Sequence, residues 1–313
     1  MKPTQTPFQP DTEGIWLDLP ADVYHKAPGV SQSTLKRFDE AGTPLHFKTA
    51  PVKKPTADME FGTVCHTSIL EPEKLAEAFY LRPDFYPAEL KGKKDEPKVT
   101  VQKPWTGKAD WCSDWMADHK DRPVLVKSDV EAVRLITERI KQLEPFARAL
   151  TRGDREVSFF KRDEDTGLLL KARTDVFAMD SVGKKFIFDL KKVQSGCGSE
   201  TEFKRQVENF GYHIQEASYK AITGADGFIF VAFDDAPPYD AVQWELHPQF
   251  SELGRREWRR ILLNFAECVK TDSWPGYASG IKKLPMPDYG WKREKELSTI
   301  EHGQWLKQVK TSL

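Results

Sequence analysis

The residues with the clearest chemistry lie between Leu170 and Lys192. Asp175 is followed fourteen positions later by Asp189-Leu190-Lys191. Two short β-rich runs, joined by the polar turn Ser181-Val182-Gly183, read as a hairpin. Alternation along the second run puts Asp189 and Lys191 on one strand face and Leu190 on the other. A carboxylate and an ammonium then share a face, with the Asp175 carboxylate across the hairpin. Such a set suits a hard cation and an activated water.

Other elements must hold that hairpin in place. From Glu156 the hydrophobic period is two, and 156–161, 168–179 and 185–192 read as three successive antiparallel strands. A long helix is expected from Ser199 or Thr201 to about Thr223, then strands at 227–233 and 241–246 and a helix from Pro248 to about Lys270. A helix between strands 185–192 and 227–233 fits a crossover connection. Upstream, a helix over Asp58–Leu70 has Phe61, Cys65 and Ile69 as its buried stripe, with His66 beside it, one turn after Gly62. The pattern predicts an α/β (α+β) domain with a central mixed sheet flanked by helices. Residues 1–30 are Pro-rich and read as an extended segment. The single domain spans 31–285, with a Pro-, Lys- and Gly-rich flexible insertion over about 83–104, and 286–313 form a tail.

Composition narrows the class without naming the substrate. The 313 residues carry 47 basic and 48 acidic side chains, so any nucleic-acid contact must come from a local patch. No apolar run approaches a membrane span, which predicts no membrane association. The four cysteines, Cys65, Cys112, Cys197 and Cys268, are scattered without a CxxC pair. This argues for a reducing compartment and against a zinc ribbon or disulfide framework.

The ordered motifs resemble a known family. Asp175 with Asp189-Leu190-Lys191 is similar to the PD-(D/E)XK nuclease motif. Phe61-Gly62-Thr63-Val64-Cys65-His66 resembles the FGTxxH helix of that superfamily's recombination branch, and Gln215 to Tyr219 its QxxxY helix. With YHKAPGVSQSTLKRF, LEPEKL, TGLLLKARTD and NFGYHIQEASYK, these look like the exodeoxyribonuclease VIII (RecE)-type family of phage and prophage recombination exonucleases, over roughly residues 15–270. The resemblance implies a PD-(D/E)XK, restriction-endonuclease-like core. It also implies a Mg²⁺-dependent exonuclease acting 5′ to 3′ on double-stranded DNA ends and leaving 3′ single strands, with Mn²⁺ as a substitute metal. A homo-oligomeric ring, a single-strand annealing protein as partner and a cytoplasmic location, in a bacterial or phage-infected cell, follow from the same source. The chain departs from the pattern at Thr174, where a proline usually precedes the aspartate, and at Lys192-Val193, where a Thr pair usually follows the lysine.

Roles can then be assigned residue by residue. Asp175 and Asp189 supply oxygen ligands to Mg²⁺, and the Leu190 carbonyl completes the set. As bare surface carboxylates they would need no explanation, but Asp189 ends an apolar strand run, where an unpaired charge is costly. Lys191 alone reads as a solvated strand lysine; beside Asp189 it can orient and help deprotonate the attacking water, or stabilise charge on the phosphorane. His66 alone reads as a core histidine, and with the resemblance as a ligand to a second metal. Gln215 and Tyr219, four apart on one helix face, can bond the phosphate, hold Lys191, or merely pack. Glu156 reads as an outer-shell carboxylate or a structural one. Lys171, Arg173 and Arg162, with Lys161, form a candidate DNA-backbone patch, and Lys91, Lys93, Lys94 and Lys98 a second cluster that reads as a solvated face. Trp111 and Trp115 read as core or an oligomer contact. The competing functions are a structure-specific or restriction-type endonuclease on the same fold and a non-catalytic DNA-end-binding protein.

Overall fold

The computed structural model describes residues 3–4, 7–51, 56–90, 99–277, 280–281 and 283–311. The chain starts with β1 (Gly14–Trp16), α1 (Ala21–Lys26), β2 (Val30–Ser31), α2 (Gln32–Glu40), α3 (Pro44–Thr49) and α4 (Ala57–Leu70). A short 3-10 helix (Pro72–Glu77) leads to β3 (Tyr80–Leu81), β4 (Phe85–Leu90), β5 (Val99–Pro104), α5 (Asp110–Asp118) and β6 (Val124–Leu125). Next come α6 (Lys127–Ile140), α7 (Phe146–Arg152) and the long strands β7 (Asp154–Arg162), β8 (Leu169–Met179) and β9 (Lys185–Val193). Then follow α8 (Glu200–Phe210), α9 (Tyr212–Thr223), β10 (Gly227–Asp234), β11 (Ala241–Glu245), α10 (Pro248–Thr271) and α11 (Asp288–Thr311). Two units are present, Met1–Trp274 and Pro275–Leu313, the second containing α11.

The first unit is built on a mixed seven-stranded sheet in the order β1-β7-β8-β9-β10-β11, with β2 beside β8. Strands β7, β8 and β9 are antiparallel neighbours, whereas β9 and β10 are parallel. A parallel pair needs a crossover, which α8 and α9 provide. One sheet face is covered by α4, α6 and α7: Val64, Cys65, Ile69, Ile136 and Phe146 pack there on Val176, Phe188 and Leu190. The opposite face meets α2, α9 and α10 through Leu35, Ile222, Trp258 and Ile261. Capping fixes where the helices begin. Ser31 accepts the Thr34 amide ahead of α2, and Thr56 the Met59 amide ahead of α4.

Four expectations need correction. Residues 1–30 are not simply extended: β1 pairs with β7, and Trp16, Leu19 and Tyr24 pack on Phe160 and Leu169. Apolar residues among the prolines supply a small core of their own. The 83–104 segment holds an antiparallel ribbon, β4 on β5, with Phe85 opposite Pro104; Lys91, Lys93, Lys94 and Lys98 lie outside the described residues. The helix expected across 199–223 is two helices, broken at Gly211, whose φ of 65° is left-handed and open to glycine at little cost. The tail beyond 286 is not irregular: it holds α11. Among the described residues, no helix is long and apolar enough to cross a membrane.

Candidate active site

The site begins where the central hairpin stops pairing. The β8–β9 ladder runs from Met179–Lys185 to Val176–Phe188. One step further, at Asp175 and Asp189, no pairing continues. Instead the Asp175 carboxylate accepts the Leu190 amide at 2.7 Å. The same position distorts the other neighbour. On β7, Arg155 pairs with Val176 and Val157 with Thr174, which sets Glu156 opposite Asp175, and Glu156 has φ 55°. A left-handed non-glycine residue is uncommon and is strained by on the order of 1 kcal/mol. Side-chain alternation also slips here. Ala172 joins the α2–α10 core and Val176 the α4–α6 core, although strict alternation would place both on one face. Asp175 sits at the slip.

Helix α4 brings His66 within 3.6 Å of Asp175, measured from Nδ1 to a carboxylate oxygen, and the ring also hydrogen-bonds the Leu190 main chain. Burial and the nearby Lys191 ammonium push the imidazole pKa down to about 4, so the ring is neutral at physiological pH. Its side chain keeps 30% of its surface exposed. Burial, then the neighbouring Asp189 and Glu156 carboxylates, hold the Asp175 carboxyl well above the usual carboxylate range.

On the other side of β9, Asp189 is nearly inaccessible. One oxygen accepts the Gln215 amide at 2.8 Å. The other forms an ion pair with Lys191 yet lacks any contact of hydrogen-bond geometry. The Lys191 ammonium also lies 5.0 Å from the centre of the Tyr212 ring. Burial works against this charge, but Asp189, Tyr212 and Asp175 outweigh it and hold the lysine above its ordinary range. Tyr219 hydrogen-bonds Gln215, and burial raises its phenol well above the ordinary range. A relay therefore runs from Tyr219 through Gln215 and Asp189 to Lys191.

These groups border a cavity of about 820 Å³ whose wall includes His66, Glu156, Arg173, Leu190, Lys191 and Lys192. Asp175 and Asp189 stand behind that wall, reached through His66 and Lys191. The structure thus brings together His66, Glu156, Arg173, Asp175, Asp189, Leu190, Lys191 and Gln215. It does not close His66, Asp175 and Asp189 into a cage: among the described residues, no three His, Cys, Asp or Glu side chains converge as a metal cluster. A divalent ion bound through one or two carboxylates, with water and substrate oxygens completing its shell, needs no such cage. The residues fit that demand. Asp189 offers a buried oxygen paired with the Lys191 ammonium outside hydrogen-bond geometry, Asp175 is strained by like charge that a cation would relieve, and His66 is neutral.

Several expected DNA contacts are placed elsewhere. Lys171 is buried, its ammonium bonded to the carbonyls of Tyr24, His25 and Ala27 at 3.0, 3.3 and 2.7 Å. It anchors α1 rather than a phosphate, because the N-terminal segment covers that strand face. Arg162 pairs with Asp11 at 2.9 Å, six residues along β7 from Glu156, and Lys161 bonds the Ala221 carbonyl. Gln215 and Tyr219 face Asp189 and the core, so of the roles open to them the structure shows Gln215 holding the Asp189 carboxylate and Tyr219 bonding Gln215. Arg173 does reach the cavity, held by Glu156, the Leu19 carbonyl (2.7 Å) and Ser158 (3.1 Å). Trp111 contacts Tyr86 and Trp105 beside the β4–β5 ribbon. Sequence reasoning missed Tyr212, Lys192 and Asp58. Tyr212 follows the helix-breaking Gly211, and Lys192 follows the catalytic-type lysine, so glycine and strand position were their available signals.

A mixed sheet whose central hairpin splays around an aspartate pair and a lysine defines a PD-(D/E)XK nuclease-like fold. The chain belongs to the family described as "PDDEXK-like domain of unknown function (DUF3799)", which matches residues 31–284, and so to the PD-(D/E)XK superfamily. A crystal structure described as a "Putative exonuclease" from Eubacterium rectale aligns at 16% identity over 86% of this chain and 96% of that one, with a TM-score of 0.49. An alkaline exonuclease (LHK-Exo) from Laribacter hongkongensis aligns at 18% identity over 53% of this chain and 87% of its own, with a TM-score of 0.25. No curated protein matches the chain.

Proposed function

We propose that this protein is a Mg²⁺-dependent exonuclease that digests double-stranded DNA from its ends, 5′ to 3′. The observation that carries the hydrolytic part is the splayed hairpin end, where Asp175, Asp189, Leu190 and Lys191 meet beside one open cavity. The end preference, the polarity, the ring-shaped oligomer and the annealing partner are supported by the sequence resemblance.

When bound, a divalent ion supplies positive charge against the phosphate and makes a nearby water more acidic. Asp175, Asp189 and the Leu190 carbonyl would hold it, with His66 as a nitrogen donor. Gln215 fixes the Asp189 carboxylate, so that oxygen is placed before any ligand arrives. Lys191, held charged by Asp189, Tyr212 and Asp175, sets a fixed positive charge beside the phosphorane and can orient the attacking water. Arg173, already stretched between Glu156 and backbone, presents a positive edge to the same cavity.

End-labelled linear duplex and sealed circular duplex, each with Mg²⁺, test the reading. Linear DNA should shorten from the 5′ end while circles resist. Nicking of circles would replace the exonuclease with an endonuclease. Asp189→Ala should slow hydrolysis at least about a hundredfold, the scale of one lost transition-state contact; unchanged digestion would remove the site assignment.

A further inference from the structure

We propose that Lys192 is a releasable clamp for a phosphate of the bound strand, parked in the free protein on the carboxylates of Asp58 and Asp235. The inference deepens the nuclease reading and rests on it. Lys192 stands where the family pattern has a threonine, and it follows Lys191 directly. Successive strand residues leave opposite faces, so the two ammonium groups come to the cavity from both sides of β9, and both line it. Lys191 points toward Tyr212 and the α9 side. Lys192 passes beneath α4, where Gly62 makes room: a Cβ on that glycine would lie 3.7 Å from the lysine Cδ and Cε. The absent side chain leaves the stem space to change rotamer.

The counter-ions distinguish Lys192 from its neighbours. Lys191 pairs with the buried Asp189, and Arg173 with the largely covered Glu156. Lys192 pairs with Asp58 at 2.5 Å and lies 3.5 Å from Asp235. Asp235 is itself held by the Ser195 amide at 3.1 Å, whereas the Asp58 side chain is 72% exposed, on the first turn of α4. An ion pair with so exposed a partner is weak and screened. A phosphate entering the cavity can take the ammonium from Asp58 with little loss, while Asp189 and Glu156 keep their cations. Asp58 is then a competitor for the clamp, and its removal should strengthen DNA binding.

The test uses the full chain and a fluorescein-labelled linear duplex, with anisotropy read in EDTA across a salt series. Binding is thereby read without hydrolysis, so an inactive protein would sink the nuclease reading and leave this measurement intact. Lys192→Gln should weaken binding about threefold to tenfold and reduce the salt slope by about one, the signature of one lost phosphate contact. Asp58→Asn should tighten binding about twofold to fivefold, and that gain should vanish in the double variant. Lys192→Arg should restore the slope. The proposal fails if Asp58→Asn weakens binding or leaves it unchanged, if its gain persists without Lys192, or if Lys192→Gln keeps the parental slope. A purely structural lysine would lower the melting temperature in both single variants and leave the slope in place, which also overturns it.

Discussion

At the scale of single residues, the site is a set of charges held away from their ordinary behaviour. His66 is kept neutral by burial and by Lys191, with its pKa near 4. The unfolded chain's imidazole takes up its proton at about pH 6.5. Between those values the unfolded state binds the extra proton, so this residue's effect is a loss of stability as pH falls through that window. Above about pH 6.5 both states are neutral and the effect disappears. His66→Gln should therefore gain stability relative to the parent as metal-free samples are acidified from pH 6.5 to 4, and match its pH dependence above 7. Thermal melts check the first statement, and the ring's NMR titration checks the pKa; a midpoint near 6.5 would contradict the burial argument. Asp175 has the opposite sign. Its raised carboxyl favours the protonated fold, so its contribution is full below about pH 3.9 and declines as pH rises toward the folded value.

At the scale of elements, α9 matters because it carries Gln215 to Asp189, and α10 holds α9. Gly254, buried on α10, sits so close to α9 that a Cβ would lie 2.1 Å from the His213 carbonyl oxygen. No rotamer relieves a clash with backbone. Gly254→Ala should force the helices apart and destabilise by about 1–3 kcal/mol, the usual range for overpacking. Because His213 is two residues from Gln215, hydrolysis should fall at temperatures where the variant is still folded. Denaturant unfolding alongside initial rates separates the two effects. Most of this element layer was legible in the sequence: the period-two runs and the crossover between β9 and β10 have local signatures. The break at Gly211 was not, since a single glycine in an amphipathic run is compatible with a continuous helix. The site was legible as a residue set because carboxylates and a lysine at strand spacing are rare in apolar runs. Its geometry was not. Lys171 looked like a phosphate contact until α1 was folded over it, and sequence position alone could not turn Gln215 toward Asp189. Both outcomes depend on contacts between residues far apart in the chain.

At the scale of the whole molecule, the unit Met1–Trp274 contains the sheet, both covering layers and every residue assigned to the site. Trp274 is its natural limit: the indole stacks on Phe47 and meets Phe38 and Phe265 edge-on. A chain ending at Trp274 should melt cooperatively within a few degrees of the full chain and retain divalent-ion-dependent hydrolysis. A chain ending at Asp272 exposes that aromatic cluster and should lose about 2–3 kcal/mol, the value of burying one large aromatic side chain. Calorimetry of the two truncations decides this; equal melting temperatures would show that the indole contributes nothing.

The gap in the β8–β9 ladder bears on how such a chain could change over time. A hairpin that zipped fully would satisfy the Leu190 amide with a neighbouring backbone carbonyl. Here that amide depends on the Asp175 side chain. Exchange of Asp175 for an apolar residue leaves a buried donor stranded, a loss of about 1–3 kcal/mol on top of any chemistry. Asparagine, which keeps the accepting oxygen, avoids it. A descendant that drifts from catalysis to plain DNA holding thus has one inexpensive first step at this position, and the fold itself penalises the others.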